Sequence, residues 1–169
     1  HNYSYGRVLL ATDRPREALP YLEKAVAIDP GNIDYLFWQG VAYGENKRTT
    51  KERASYERVL QLARNHLQAQ IYLGNTYLVG KNFRTALTCY QRVLALSPTN
   101  AQALYNLAIV FGHLQRTPEE KLAWRLYLES YPTGELARNA ANHLNMLEDF
   151  SYRSHSVGRA ITLPAIAFK

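Results

Sequence analysis

Five histidines, one cysteine and a Glu-Glu pair are the residues that most invite a metal or proton-transfer reading of this sequence, and none stands at the spacing such chemistry needs. His1, His66, His113, His143 and His155 lie far apart, without a His-x3-His pair or a carboxylate–histidine helix motif, so each reads as a surface or loop residue. Cys89 is alone and can form neither a zinc site nor an internal disulfide; beside Tyr90 on an expected helix, it reads as a partly buried small hydrophobe. Glu119-Glu120 suits the positive end of a helix better than paired acid–base work. Gly40 and Gly44 belong to a helical pattern and form no phosphate-cradling loop, and no serine sits in a nucleophile elbow. Asn2-Tyr3-Ser4 matches a glycosylation acceptor, a triplet common by chance. The expectation is a protein that binds without catalysing, with no cofactor and no metal.

What the chain does have is a period. Gly6, Gly40, Gly74 and Ala108 stand 34 residues apart. Three residues after each comes a large apolar or aromatic residue (Leu9, Tyr43, Tyr77, Phe111), and sixteen after each comes Leu22, Tyr56, Tyr90 or Trp124. Pro30, Pro98 and Pro132 close three of the units, with Arg64 in place of proline in the second. A fixed period in this range marks a repeat protein. Within a unit the apolar spacings of three and four are those of an amphipathic helix. Gln70, Leu73, Gly74 and Tyr77 make one helical face, and Ala86, Tyr90 and Val93 a second, with Gly80-Lys81-Asn82 as the break between them. Thr117-Pro118-Glu119-Glu120 predicts a helix capped by Thr117.

These units resemble the tetratricopeptide repeat family. The resemblance implies an all-α, helical-hairpin solenoid of about four repeats, here 1–32, 33–66, 67–100 and 101–134. In that family the small residue lets paired helices approach, the large one fills space between units, and proline ends the second helix. Ala18 and Ala86 supply a further small position, which Glu52 and Glu120 replace in units two and four and so put local packing in question. Residues 135–147 predict a capping helix with Leu136, Ala140, Leu144 and Leu147 on one stripe, closing a 1–147 array.

The same resemblance implies a concave groove lined by the first helices. Its fifth positions are Tyr3, Phe37, Ile71 and Tyr105, and its ninth are Arg7, Val41, Asn75 and Ile109. If exposed, such a strip marks an interaction site for a peptide or partner helix; the competing reading buries these residues between units. Asn75 can bond an extended backbone and Arg7 can grip a carboxylate in a bidentate pair. The lysine and asparagine with which chaperone-binding members clamp a carboxylate are replaced by Tyr3 and Arg7, which argues against a chaperone C-terminus as ligand.

Composition sets the remaining bounds. The hydrophobic fraction of 47%, with 9 glycines and 7 prolines, excludes disordered and collagen-like classes, and 13 tyrosines suit half-buried helix faces. No apolar run is long enough to insert in a membrane, and the opening residues are not expected to act as a signal peptide. Because the first unit lacks its opening residues, the chain is expected to be part of a longer one. The net charge of +6 raises nucleic acid as a partner, but the densest basic cluster (Lys47, Arg48, Lys51, Arg53) reads as a solvated loop and helix start.

After residue 147 the repeat stops. Residues 148–169 are expected to form a β-prone, non-helical tail or linker. Residues 161–168 resemble the opening strand of outer-membrane-protein-A-like domains, which would place the chain in a bacterial periplasm or envelope; the alternatives are a linker packed on the array and a cytoplasmic protein. The functional expectation is a protein-interaction scaffold. A spacer or self-assembly module, pairing copies through residues 150–169, is the alternative, with nucleic-acid binding a weaker third.

Overall fold

The computed structural model describes residues 1–153, with side chains as far as Asp149. Among the described residues the chain is helical, without strands: α1 (Asn2–Ala11), α2 (Pro15–Ile28), α3 (Ile33–Glu45), α4 (Thr49–Leu62), α5 (Leu67–Val79), α6 (Phe83–Leu96), α7 (Ala101–His113), α8 (Thr117–Ser130) and α9 (Glu135–Arg153). Ile33, Leu67, Ala101 and Glu135 open the first helices of successive units, and Pro15, Thr49, Phe83 and Thr117 the second, all in steps of 34.

Three local devices recur at that period. Within each hairpin one non-glycine residue turns left-handed: Asp13, Lys47, Lys81 and Gln115, at φ 57, 58, 59 and 56°. The break expected at Gly80-Lys81-Asn82 thus has Lys81 as its left-handed residue. Its strain is offset by the hydrogen bonds that end the preceding helix. In the second hairpin Arg48 N donates to Tyr43 O and Lys47 N to Gly44 O, both at 2.8 Å. Between hairpins a side chain caps the next first helix. Asn32 and Asn100 oxygens accept from Tyr35 N and Ala103 N, and His66 Nδ1 accepts from Ala69 N.

The second helices end alike whether or not proline follows. Asp29, Ser97 and Tyr131 precede proline at φ −135, −140 and −136°. Ala63 precedes Arg64 and still adopts φ −136°. The extended residue that proline enforces is thus reached in unit two without it.

Close packing within the hairpins follows from the small residues. A Cβ on Gly6 would lie 2.7 Å from Leu22 Cγ, and one on Gly40 would lie 2.6 Å from Tyr56 Cε1. Each glycine therefore receives the large residue of its own hairpin's second helix. Tyr56, Tyr90 and Trp124 are fully buried, and Ala108 and Gly74 are buried too. Cys89, expected to be partly buried, is almost completely so.

Glu52 and Glu120, which depart from the small-residue pattern, belong to a size exchange. Units one and three pair Leu10 with Ala18 and Leu78 with Ala86; units two and four pair Gly44 with Glu52 and Gly112 with Glu120. A Cβ on Gly44 would meet Glu52 Oε1 at 2.7 Å, and one on Gly112 would meet Glu120 Oε1 at 3.0 Å. The larger second-helix residue occupies what the smaller first-helix residue vacates, so packing is preserved.

At the start of α8 the capping residue is Arg116, not Thr117, and it makes no side-chain cap. Its guanidinium instead grips Glu119, with Nε and Nη2 at 2.9 and 2.6 Å from Oε1. Arg14 and Glu17 repeat this arrangement at the start of α2.

Packing divides the chain into a unit of residues 1–76 and a second from Tyr77 onward. In the first, Leu9, Leu19, Leu22 and Tyr43 form a core joined by Trp38, and Asn46 Nδ2 ties its hairpins together by donating to Pro15 O at 2.8 Å. In the second, α9 packs on α8 through Ala137 and Ala140, with Leu136, Leu144 and Leu147 half-buried beside them. His143 stacks on Trp124 and Arg125 Nη2 bonds Glu148 Oε1 at 2.7 Å. The helix expected over 135–147 continues to Arg153, so residues 148–153 are not tail. The stretch resembling an outer-membrane domain, residues 161–168, lies outside the described residues, as does most of the segment expected to pair copies.

Candidate protein-binding face

The expected groove residues separate into two groups. Phe37, Ile71, Tyr105 and Ile109 are 9, 0, 2 and 3% exposed, so no open strip exists at those positions. Phe37 is enclosed by Trp38, Tyr56, His66 and Tyr72, at ring distances of 5.3 to 5.8 Å. Tyr105 is set edge-on against Trp124 at 4.9 Å and Tyr127 at 5.3 Å. Phe37 meets Tyr72 of the next repeat, whereas the Tyr105 contacts with Trp124 and Tyr127 lie within its own hairpin rather than between units.

Tyr3, Arg7, Val41 and Asn75 remain at the surface, all in the first unit: Arg7 exposed, the others half-buried. Arg7 is the best defined. Its guanidinium carbon lies 4.5 Å from the centre of the Trp38 ring and 5.5 Å from that of Tyr3. Nη1 donates to the Tyr3 hydroxyl at 3.3 Å, and Tyr35 packs on Tyr3 at 4.8 Å. Stacking on aromatic faces holds the cation while leaving its edge donors open. Among the described residues Arg7 makes no ion pair; the pairs present are Arg14–Glu17, Arg116–Glu119 and Arg125–Glu148.

Trp38 and Tyr35 were not singled out from the sequence. The available signal was the pair Phe37-Trp38, because neighbours on a helix point about 100° apart and both cannot enter the core.

The surrounding electrostatics are those of packed tyrosines. Burial, then the hydrogen bond to Glu23, pushes the Tyr43 hydroxyl up to about 12. Burial raises Tyr56 and Tyr72 as well. The Tyr56 hydroxyl is buried and makes no hydrogen bond among the described residues. None of these groups is poised for proton transfer near neutrality. No group of three or more metal-ligating side chains occurs among the described residues, nor any helix long and apolar enough to cross a membrane.

Two family models match the chain, one described as "Tetratricopeptide repeat" over residues 3–66 and one as "TPR repeat" over residues 74–115. The chain belongs to the tetratricopeptide repeat family. Its fold is the helical-hairpin repeat of that family, which supports a protein-interaction scaffold. MamA from Desulfovibrio magneticus RS-1, residues 41 to the end, superposes with a TM-score of 0.75 at 20% identity, covering 92% of this chain and 96% of that one. A tetratricopeptide repeat protein from Parabacteroides merdae ATCC 43184 gives 0.77 at 18% identity, covering 91% and 60%. YrrB, a TPR protein with an unusual peptide-binding site, gives 0.74 at 15% identity, covering 90% and 76%. The human protein O-mannosyl-transferase TMTC3 is 24% identical over 151 residues, which is 87% of this chain and 16% of that protein's length.

Proposed function

We propose that this tetratricopeptide repeat chain is a non-enzymatic scaffold that holds an acidic peptide segment against the exposed side of its first helices. Tyr3, Arg7, Val41 and Asn75 are the contact residues, with Trp38 and Tyr35 as the shelf beneath Arg7. The observation that carries the reading is Arg7 itself, a cation fixed over Trp38, bonded to Tyr3 and unmatched by a carboxylate among the described residues. A guanidinium held in this way loses little freedom on binding, which favours a bidentate carboxylate contact. The peptide-binding site named for YrrB supports a peptide as the ligand class. Nucleic acid is disfavoured at this face, since one arginine falls far short of the ~6–10 phosphate contacts that anchor such complexes.

The reading is tested by panning a random-peptide display library against the wild-type chain and Arg7→Ala. Peptides enriched in aspartate or glutamate on the wild type and absent from the variant support it. The same peptides on both would move the site elsewhere.

A further inference from the structure

The least balanced distribution of charge lies away from Arg7. From Arg58 to Pro118 the sequence contains no aspartate or glutamate. Of the four second helices α6 alone lacks an acidic residue; α2, α4 and α8 each mix both signs. Arg84 and Arg92 on α6, and Lys81 in the turn before it, are exposed and make no ion pair among the described residues. Leu96, one turn beyond Arg92, is 52% exposed.

The complement is in the same unit. Residues 77–118 hold four basic and no acidic residues, whereas residues 119–149 hold six acidic and three basic. Glu129 near the end of α8 and Glu135 at the start of α9 are exposed and outside any ion pair among the described residues. On the same side of α8 as Glu129, Leu122 and Leu126 are 55 and 43% exposed.

We propose that a second copy of this chain covers the α6 face, its α8 lying antiparallel on α6. Leu96 then meets Leu126 and Leu122, Arg92 meets Glu129, and Arg84 approaches Glu135. The spacing suits this pairing: at about 1.5 Å per residue, Arg92 and Leu96 are separated by about 6 Å along one axis, and Glu129 and Leu126 by about 4.5 Å along the other. A parallel pairing that kept Arg92 on Glu129 would carry Leu96 past Ser130, the last residue of α8, and away from both leucines. The leucines contribute apolar burial, while the charges fix direction and make the contact sensitive to salt. Because the two surfaces differ, the contact is heterologous and repeats head to tail. Three cations are too few to prefer a nucleic acid, which usually engages about 6–10 phosphates.

The test is sedimentation of the full chain at about 0.05 M and about 0.5 M salt, with helical content checked for every variant. Self-association at low salt should weaken at least about tenfold at high salt. Arg84→Glu with Arg92→Glu, Glu129→Arg with Glu135→Arg, and Leu126→Ser should each abolish it. An equimolar mixture of the two charge-reversed proteins should restore it, whereas Arg14→Glu with Arg16→Glu on α2 should leave it unchanged. A chain that stays monomeric at low salt, or an α2 variant that loses association equally, overturns the proposal. So does tighter binding of a duplex oligonucleotide that depends on Arg84 and Arg92.

Discussion

The Glu52 carboxylate occupies the space that a side chain at residue 44 would need: a Cβ on Gly44 would lie 2.7 Å from Glu52 Oε1. The corresponding positions in units one and three hold Leu10 with Ala18 and Leu78 with Ala86. The two solutions should be interchangeable as pairs and not singly.

Gly44→Leu alone should therefore destabilise the chain by about 1–3 kcal/mol through overpacking. Adding Glu52→Ala to make the unit-one pair should recover most of that loss. Urea unfolding of the two single variants and the double variant, treated as a cycle, measures the coupling. Additive effects would show that the two positions are independent.

Stability should also depend on the ionisation of Glu120. Burial raises its carboxyl above the ordinary 4.5, partly opposed by the bond from Trp124 Nε1. A group whose folded pKa is raised contributes stability below its unfolded value and loses it as pH rises through the folded one. Glu120→Gln should then be more stable than wild type at pH ~7 and nearly equal to it below pH ~4. His143, stacked on Trp124, is lowered by burial and acts in the opposite sense, so its protonation destabilises on acidification. The comparison is therefore best made with His143→Gln in both backgrounds, by denaturant titration across that range.

Tyr105→Ala should behave as a core variant. Removing a ring packed on Trp124 and Tyr127 should cost about 3–5 kcal/mol, measured by thermal or denaturant unfolding. An unchanged midpoint would mean that Tyr105 is accessible after all.

Arg64→Pro should be neutral or stabilising by about 0.4–1 kcal/mol, because Ala63 already holds the extended conformation that proline demands. A drop in stability would place the Arg64 N–H in a hydrogen bond.

Much of the fold was legible because the period acts on every residue at once. Gly6, Gly40 and Gly74 locate the first helices, and Pro30, Pro98 and Pro132 the ends of the second. What escaped depends on pairs of residues. Glu52 looked like a defect until Gly44 was set beside it. The break at Gly80-Lys81-Asn82 is legible as such, but which of its residues turns left-handed is set by the hydrogen bonds that close the helix, and these select Lys81. Thr117 has the chemistry of a cap, but the helix begins one residue too early for it to act as one. The repeat stops after residue 147, but Glu148 is held by Arg125 and the helix runs past it, a contact that periodicity does not reveal. The face around Arg7 was half legible: spacing placed Tyr3 and Arg7 on one side of α1, while the position of Trp38 depends on how α3 packs.

Isothermal titration of a selected acidic peptide into wild type, Arg7→Lys and Arg7→Ala bears on the binding face with the fewest intermediate assumptions. Loss of a charged hydrogen-bond donor at about 1.5–3 kcal/mol should weaken binding by roughly 10- to 150-fold in Arg7→Ala. Arg7→Lys, which keeps the charge but loses the planar fork, should fall between. Stability should fall by no more than about 1 kcal/mol in Arg7→Ala, the scale of an exposed cation–π contact. Equal affinity across the three proteins would contradict a carboxylate contact at Arg7 and with it the proposed face.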